Sequence, residues 1–255
     1  MEALLETKQL FISFGEYHVI QNLNLKIPNG KFVSIIGPNG AGKTTLFNLL
    51  SGQLTPTQGE IFFKGKNITK LSPASRTRLG IGRSFQLTNI FPELSVLENV
   101  RIAVQSKEKE YYGILPRPSK FRFQVEKALE ILKVIFLQDK QDVLAKNLAH
   151  GEKRKLEIAM LLALDPDLIL LDEPTAGISI DEVPALLKVI ENIKKDSNTT
   201  VILIEHKMDM VLHLSDYLIV LINGELLAEG KPEEIMKNEH VQRAYLGGMP
   251  HVKSS

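Results

Sequence analysis

Apolar and polar positions alternate in KQLFISF and again in VIQNLNLKI, with Gly15 and Glu16 between the two runs. Side chains on a strand point to opposite faces in turn, so this spacing predicts an antiparallel hairpin over residues 8 to 27. PNG at 28 to 30 is a turn signal, and Val33 to Ile36 is then apolar apart from one serine. A strand apolar on both faces belongs inside a parallel sheet covered by helices. Leu168 to Leu171 and Val201 to Ile204 have the same character, with helical sequence between them. That β-α-β alternation predicts an α/β fold.

Thr44 to Leu50 continues as a helix ended by Ser51-Gly52, and GEIFFKGKNI predicts a further strand and turn. Val125, Ala128, Leu129, Leu132, Ile135 and Phe136 recur at helical spacing, which predicts an amphipathic helix over 121 to 137. Gln105 to Lys120 is polar and proline-bearing and reads as an exposed insertion. Gly247 to Ser255 reads as a loose tail. The longest apolar run, Tyr217 to Ile222, is too short to cross a bilayer. MEALLETKQL lacks the basic and apolar regions of a secretion signal.

Composition removes several classes of function. Lysine and arginine number 31 against 30 acidic residues, a formal charge of +1, so no basic footprint points to nucleic acid. The absence of cysteine excludes disulfides, thiolate chemistry and cysteine-ligated metals, and suits a reducing compartment.

The buried strand at 33 to 36 runs into Gly37 to Thr44, which spells G-x-x-x-x-G-K-T, with a helix immediately after it. Glycines let the backbone wrap an anion, and the free amides of a helix start favour one. Asn39, Gly40, Ala41, Gly42 and Thr45 are expected to line this cradle, with Lys43 neutralising the β- and γ-oxygens and the Thr44 hydroxyl ligating magnesium. DLILLDEPTAG then ends a second buried strand in Asp172 and Glu173. Unpaired buried carboxylates are costly, so the pair is expected to have a task. Asp172 is expected to serve the magnesium shell and Glu173 to orient or deprotonate the attacking water. VILIEHKM brings Glu205 and His206 to the end of a third strand, the edge where ligands of α/β sheets bind.

With these motifs in order, the chain resembles the ATPase subunits of ABC transporters over nearly its whole length. GPNGAGKT is similar to the family's Walker A, LILLDEP to its Walker B, and GRSFQLTN places Gln86 at its Q-loop. LIEH places His206 as the switch histidine. Phe14 falls where the family stacks an aromatic ring on adenine, and Val19 follows it as a nucleotide contact. The resemblance implies a P-loop ABC-type ATPase with a RecA-like mixed-sheet core and an antiparallel β subdomain over 1–86 and 150–255. Residues 87–149 would form an inserted helical subdomain that couples to membrane partners. ATP and Mg2+ are implied, with Thr44, Gln86 and Asp172 at the metal and Glu173, His206 and Gln86 in catalysis.

RSFQLTNIFPELSVLENV, YYGILPRPSKFR and AEGKPEEIMKNEHVQRAYLG are most similar to the LivG-like group, which serves importers of branched-chain amino acids, and to relatives serving urea or amides. The implied partners are transmembrane permease subunits, a second ATPase subunit in a head-to-tail dimer and, indirectly, a solute-binding protein. The implied place is the cytoplasmic face of the cell membrane, with no nucleic-acid partner.

Two departures from the family pattern stand out. LAHGE at 148 to 152 occupies the place of LSGGQ, so Ala149 replaces a phosphate-binding serine and His150 replaces a glycine. One lost hydrogen bond to a charged acceptor weakens such a contact by about 1.5 to 3 kcal/mol. Gly151 and the helix behind it remain to bind an anion. His150 is either a substitute donor or a solvent-facing spacer. The run Glu152, Lys153, Arg154, Lys155 by itself reads as a wet helix face. In AGISIDE, Ser179 stands where the family's D-loop has an aspartate. The rival readings are a P-loop kinase or GTPase, a regulatory nucleotide-binding subunit with little turnover, and an ABC ATPase of a lipid or export system. No N-K-x-D motif supports a GTPase.

Overall fold

The structure is a computed structural model that describes residues 3–84, 90–107, 118–195 and 199–246. Gln86, residues 108–117 of the expected insertion, and the tail from Gly247 lie outside the described residues. The chain opens with β1 (Ala3–Phe14), β2 (Tyr17–Pro28), β3 (Phe32–Ile36), α1 (Lys43–Ser51), β4 (Gln58–Phe63), β5 (Lys66–Asn67) and α2 (Pro73–Arg78). It continues with β6 (Ile81–Arg83), α3 (Val96–Lys107), α4 (Pro118–Val134), α5 (His150–Ala163), β7 (Leu168–Asp172) and α6 (Val183–Lys195). It closes with β8 (Thr200–Ile204), α7 (Met208–Leu214), β9 (Tyr217–Ile222), β10 (Glu225–Gly230), α8 (Pro232–Ile235) and α9 (Glu239–Leu246). The fold class is the expected α/β, with a mixed sheet and an antiparallel sheet.

These elements form two compact units, residues 1–76 with 200–255, and residues 77–199. The first unit holds both an antiparallel sheet, in the order β2-β1-β4-β5, and a mixed sheet in which β3 lies parallel to β8 and β9 while β10 closes antiparallel on β9. Every residue of β3 and β8 is buried, as apolarity on both faces requires. β1 and β2 join at the expected turn, where Gly15 takes a positive φ of 62°. Tyr217–Ile222, the longest apolar run, is a strand packed beside β3 in this sheet.

The second unit pairs β6 with β7 in parallel, and in it α3 packs on α4 and α5, α4 also meets α5, and α5 meets α6. Buried Asn99 organises the entry to α3: its Oδ1 accepts from the Phe91 amide at 2.7 Å, and its Nδ2 donates to the Phe91 and Ser95 carbonyls. The amphipathic helix expected over 121–137 runs instead from Pro118 to Val134. It ends early because Phe136 turns left-handed, at φ 57°, so its ring is exposed and does not extend the apolar face. α3 also continues to Lys107, so the first residues of the expected insertion are helical.

Candidate functional site

The first unit carries the phosphate loop. β3 ends at Ile36, and the chain turns through Gly37 to Gly42 before α1 begins at Lys43. Gly42 caps the helix in a left-handed conformation, φ 94°, which a side chain at this position would resist. The Lys43 side chain is buried and folds back over the loop, with Nζ donating to the Gly37 carbonyl at 2.7 Å and the Pro38 carbonyl at 3.0 Å. An ammonium held at the mouth of a ring of backbone groups is placed to meet an anion. Asn39, Gly40 and Thr44 are exposed, Thr45 is half-buried and Ala41 is buried. The hairpin abuts the loop: a Cβ built on Gly42 would lie 2.9 Å from the Val19 carbonyl.

Phe14 and Tyr17 face each other as the last cross-strand pair of that hairpin, 50% and 80% exposed. A second exposed ring at the same turn is a tertiary fact that the alternation of the strands does not announce. β3 and β8 run in register, Ile35 against Ile204, so the phosphate loop and the Glu205-His206 pair leave the same edge of the sheet. Glu205 is buried and its carboxylate accepts from the His206 amide at 3.1 Å, whereas the His206 side chain is exposed.

Gly37 is the most tightly packed of the three loop glycines and Gly40 the most open. A Cβ on Gly37 would stand 2.2 Å from the Leu221 carbonyl oxygen, a backbone atom of β9, whereas a Cβ on Gly40 would meet nothing within 4 Å. Gly37→Ala should therefore lower stability in thermal unfolding by about 1–3 kcal/mol or more. Gly40→Ala carries only the left-handed penalty, about 1–2 kcal/mol. Equal losses at the two positions would show that β9 yields.

The second unit carries the carboxylates. Ser84 Oγ lies 3.4 Å from the Asp172 amide, and the Ser84 amide donates to the Leu170 carbonyl, so β6 and β7 end together. Asp172 is fully buried. Its Oδ2 accepts from Arg83 Nη2 at 3.1 Å, while Oδ1 is buried with no hydrogen-bond partner among the described residues. Burial pushes the Asp172 carboxyl above its usual value, and the Arg83 charge pulls it partly back. Burial likewise lowers the Arg83 guanidinium, against the pull of Asp172. Arg154, from α5, secures the strand end from another side, with Nη2 on the Asp172 carbonyl at 3.2 Å and Nη1 on Glu157 at 2.8 Å. Glu173 follows with φ 44°, a left-handed conformation that a charged residue adopts at some energetic cost.

The start of α5 gathers both departures from the family pattern. Ala149 caps it without a side-chain hydrogen bond, leaving Glu152 to accept from the Ala149 amide at 3.1 Å. Burial opposes the charge on Glu152, but Lys140 and the Ala149 amide hold its carboxyl below the usual range. Gly151 is buried, and a Cβ on it would come 2.9 Å from the Glu182 carboxylate, which also accepts from Ser179 Oγ at 3.0 Å. The exposed His150 ring faces Gly177, with Nε2 3.4 Å from where a Cβ would stand. Ala149, His150 and Ser179 are thus neighbours in one corner of this unit.

The profile of the ABC transporter family matches residues 20–176. The chain belongs to the ABC transporter family. It is an ABC-type ATPase, and its fold agrees: the ADP conformation of MJ1267, an ATP-binding cassette of an ABC transporter, superposes with a TM-score of 0.80 at 30% identity, covering 97% of this chain and 100% of that one. A dimeric post-hydrolysis state of the cassette MJ0796 bound to ADP and Pi superposes with a TM-score of 0.73 at 28% identity, covering 89% of this chain and 98% of that one. The high-affinity branched-chain amino acid transport ATP-binding protein LivG of Escherichia coli (strain K12) is 39% identical over 96% of this chain and 98% of its own length. A separate profile, for the branched-chain amino acid ATP-binding cassette transporter, matches residues 225–251.

Proposed function

We propose that this chain is the ATP-hydrolysing subunit of an importer for branched-chain amino acids. The observation that carries the substrate class is the match at residues 225–251, joined to full-length likeness to LivG. In this reading the backbone amides from Asn39 to Thr45 cradle the phosphates, Lys43 leaves its carbonyls for the β- and γ-oxygens, and Phe14, beside Tyr17, stacks on adenine with Val19 below. Asp172, Thr44 and Gln86 would hold Mg2+, and Oδ1 of Asp172, without a partner among the described residues, is the kind of oxygen that fits it. When bound, the ion neutralises phosphate charge and orients the leaving group. Glu173 takes the proton of the attacking water, His206 supports the γ-phosphate, and Gln86 reports its presence to the segment beyond.

The working form in this reading is a head-to-tail dimer in which Gly151 and the α5 N-terminus meet the nucleotide of the opposite subunit. Residues 87–149 couple to transmembrane permease subunits at the cytoplasmic face of the membrane, with a solute-binding protein acting through them. An apolar groove of about 300 Å³ between α3 and α5, lined by Phe91, Ile102, Met160 and Leu164 among others, suits that contact. Among the described residues no helix is long and apolar enough to cross a membrane. A second reading pairs this chain with a sister ATPase, because Ala149 offers no hydroxyl and Ser179 is engaged with Glu182.

Phosphate release measured across protein concentration separates the two. A steeper than linear rise means that the chain dimerises with itself. Activity that appears only when a sister ATPase is added assigns the second reading, and absence of turnover in both overturns catalysis by this chain. Leucine uptake by vesicles containing the permease, with urea as competitor, tests the substrate.

A further inference from the structure

Asp172 is fully buried, and a carboxylate out of water needs a compensating charge or hydrogen bonds. Arg154 donates to its main-chain carbonyl, and its charge adds a smaller pull on the carboxylate, but the guanidinium hydrogen-bonded to the carboxylate itself is that of Arg83. Arg83 is the last residue of β6, its side chain only 10% exposed, and it stands three residues before Gln86. One carboxylate oxygen therefore already has a cation, and the other has no partner among the described residues. A divalent ion arriving at the same carboxylate brings a second positive charge beside the guanidinium, and like charges at one buried group repel.

We propose that Arg83 is a positioning residue: it holds Asp172 in place before the metal arrives and competes with the metal for that carboxylate. This inference rests on the metal reading of Asp172 proposed above. It gives a strand otherwise too short to add much to a sheet a specific task.

The test is Mn2+ binding, by electron paramagnetic resonance, to the full chain saturated with ADP, which leaves hydrolysis out of the readout. An opposite charge beside a carboxylate changes its proton affinity by about 10- to 1,000-fold, so removal of the competitor should tighten Mn2+ by about fivefold or more. Arg83→Gln keeps a donor for Oδ2 and removes the charge, and should show that gain. Arg83→Lys keeps the charge and should stay within about twofold of the unaltered chain. Equal or weaker Mn2+ binding by Arg83→Gln overturns the proposal. If that variant does not fold, amide exchange of the unaltered chain decides: with ADP present, adding Mn2+ should speed exchange across Ile81–Ser84, and an unchanged rate overturns the proposal. Binding of a fluorescent ADP in EDTA separates the two levels. Its loss in the unaltered chain overturns the nucleotide-site reading and this inference with it, whereas retained ADP binding with unaltered Mn2+ affinity overturns this inference alone.

Discussion

Glu173→Gln should bind Mg·ATP with unchanged affinity and release phosphate about 100- to 10,000-fold more slowly, the span that a positioned general base contributes. The amide is nearly isosteric with the carboxylate and keeps its acceptor oxygen, so it removes the base and little else. The backbone supports this choice of residue. Glu173 sits at φ 44°, where glycine or asparagine would be more at ease, and its carbonyl accepts from the Ala176 amide at 3.0 Å to close the turn after β7. A glutamate held in a left-handed turn directly after a buried aspartate is poorly explained by stability and well explained by a need for its carboxylate. Fluorescent ATP binding and phosphate release, measured on the same preparation, check the prediction. If the variant hydrolyses ATP within tenfold of the unaltered chain, another group takes the proton and the assignment of Glu173 fails. If ATP binding is lost as well, the residue serves the turn and not the chemistry.

How much of this was legible in the sequence depended on the range of the interaction. The hairpin, the buried strands β3, β7 and β8 and the glycine loop are local patterns, and they stand where periodicity and turn residues put them. β9 was visible as an apolar run but not as a strand beside β3, because strand order is a long-range property that periodicity does not carry. The charge run after Gly151 shows the same limit. Read along the helix it is a wet face, yet Arg154 is turned inward to the carbonyl of Asp172, 18 residues away. Arg83 meets Asp172 across 89 residues, and nothing near Arg83 in the chain marks it as the counter-charge. A buried acid at the end of an all-apolar strand does signal that some cation must exist. Only the fold says which one.

The second large effect lies in the first unit, at the end of α1 opposite Lys43 and Thr44. Arg76 is 1% exposed, and its guanidinium donates to four carbonyls: Leu49 at 2.6 Å and Leu50 at 2.8 Å through Nη1, Thr69 at 3.0 Å through Nη2, and Leu71 at 3.2 Å through Nε. Leu49 and Leu50 belong to the last turn of α1, whose carbonyls lack helical donors and carry the negative end of the helix dipole. A fixed positive fork there satisfies the carbonyls and the dipole together. Burial lowers the Arg76 pKa to about 10, which still leaves it charged at neutral pH. Arg76→Met fills much of the volume but takes a donor from four carbonyls, of which, among the described residues, Leu49 alone keeps another, the Gly52 amide at 3.2 Å. Unsatisfied buried groups cost about 1–3 kcal/mol each and partly relax, so the expected loss is about 3–5 kcal/mol, or roughly 6–20 °C in Tm for a chain of this size. Arg76→Lys should recover less than half of it, because a single ammonium cannot reach carbonyls spread around a planar fork. Thermal unfolding of the three proteins at pH 7 checks the order. A loss below about 1 kcal/mol for Arg76→Met would mean that water enters and replaces the fork, and that α1 is held by its apolar face alone.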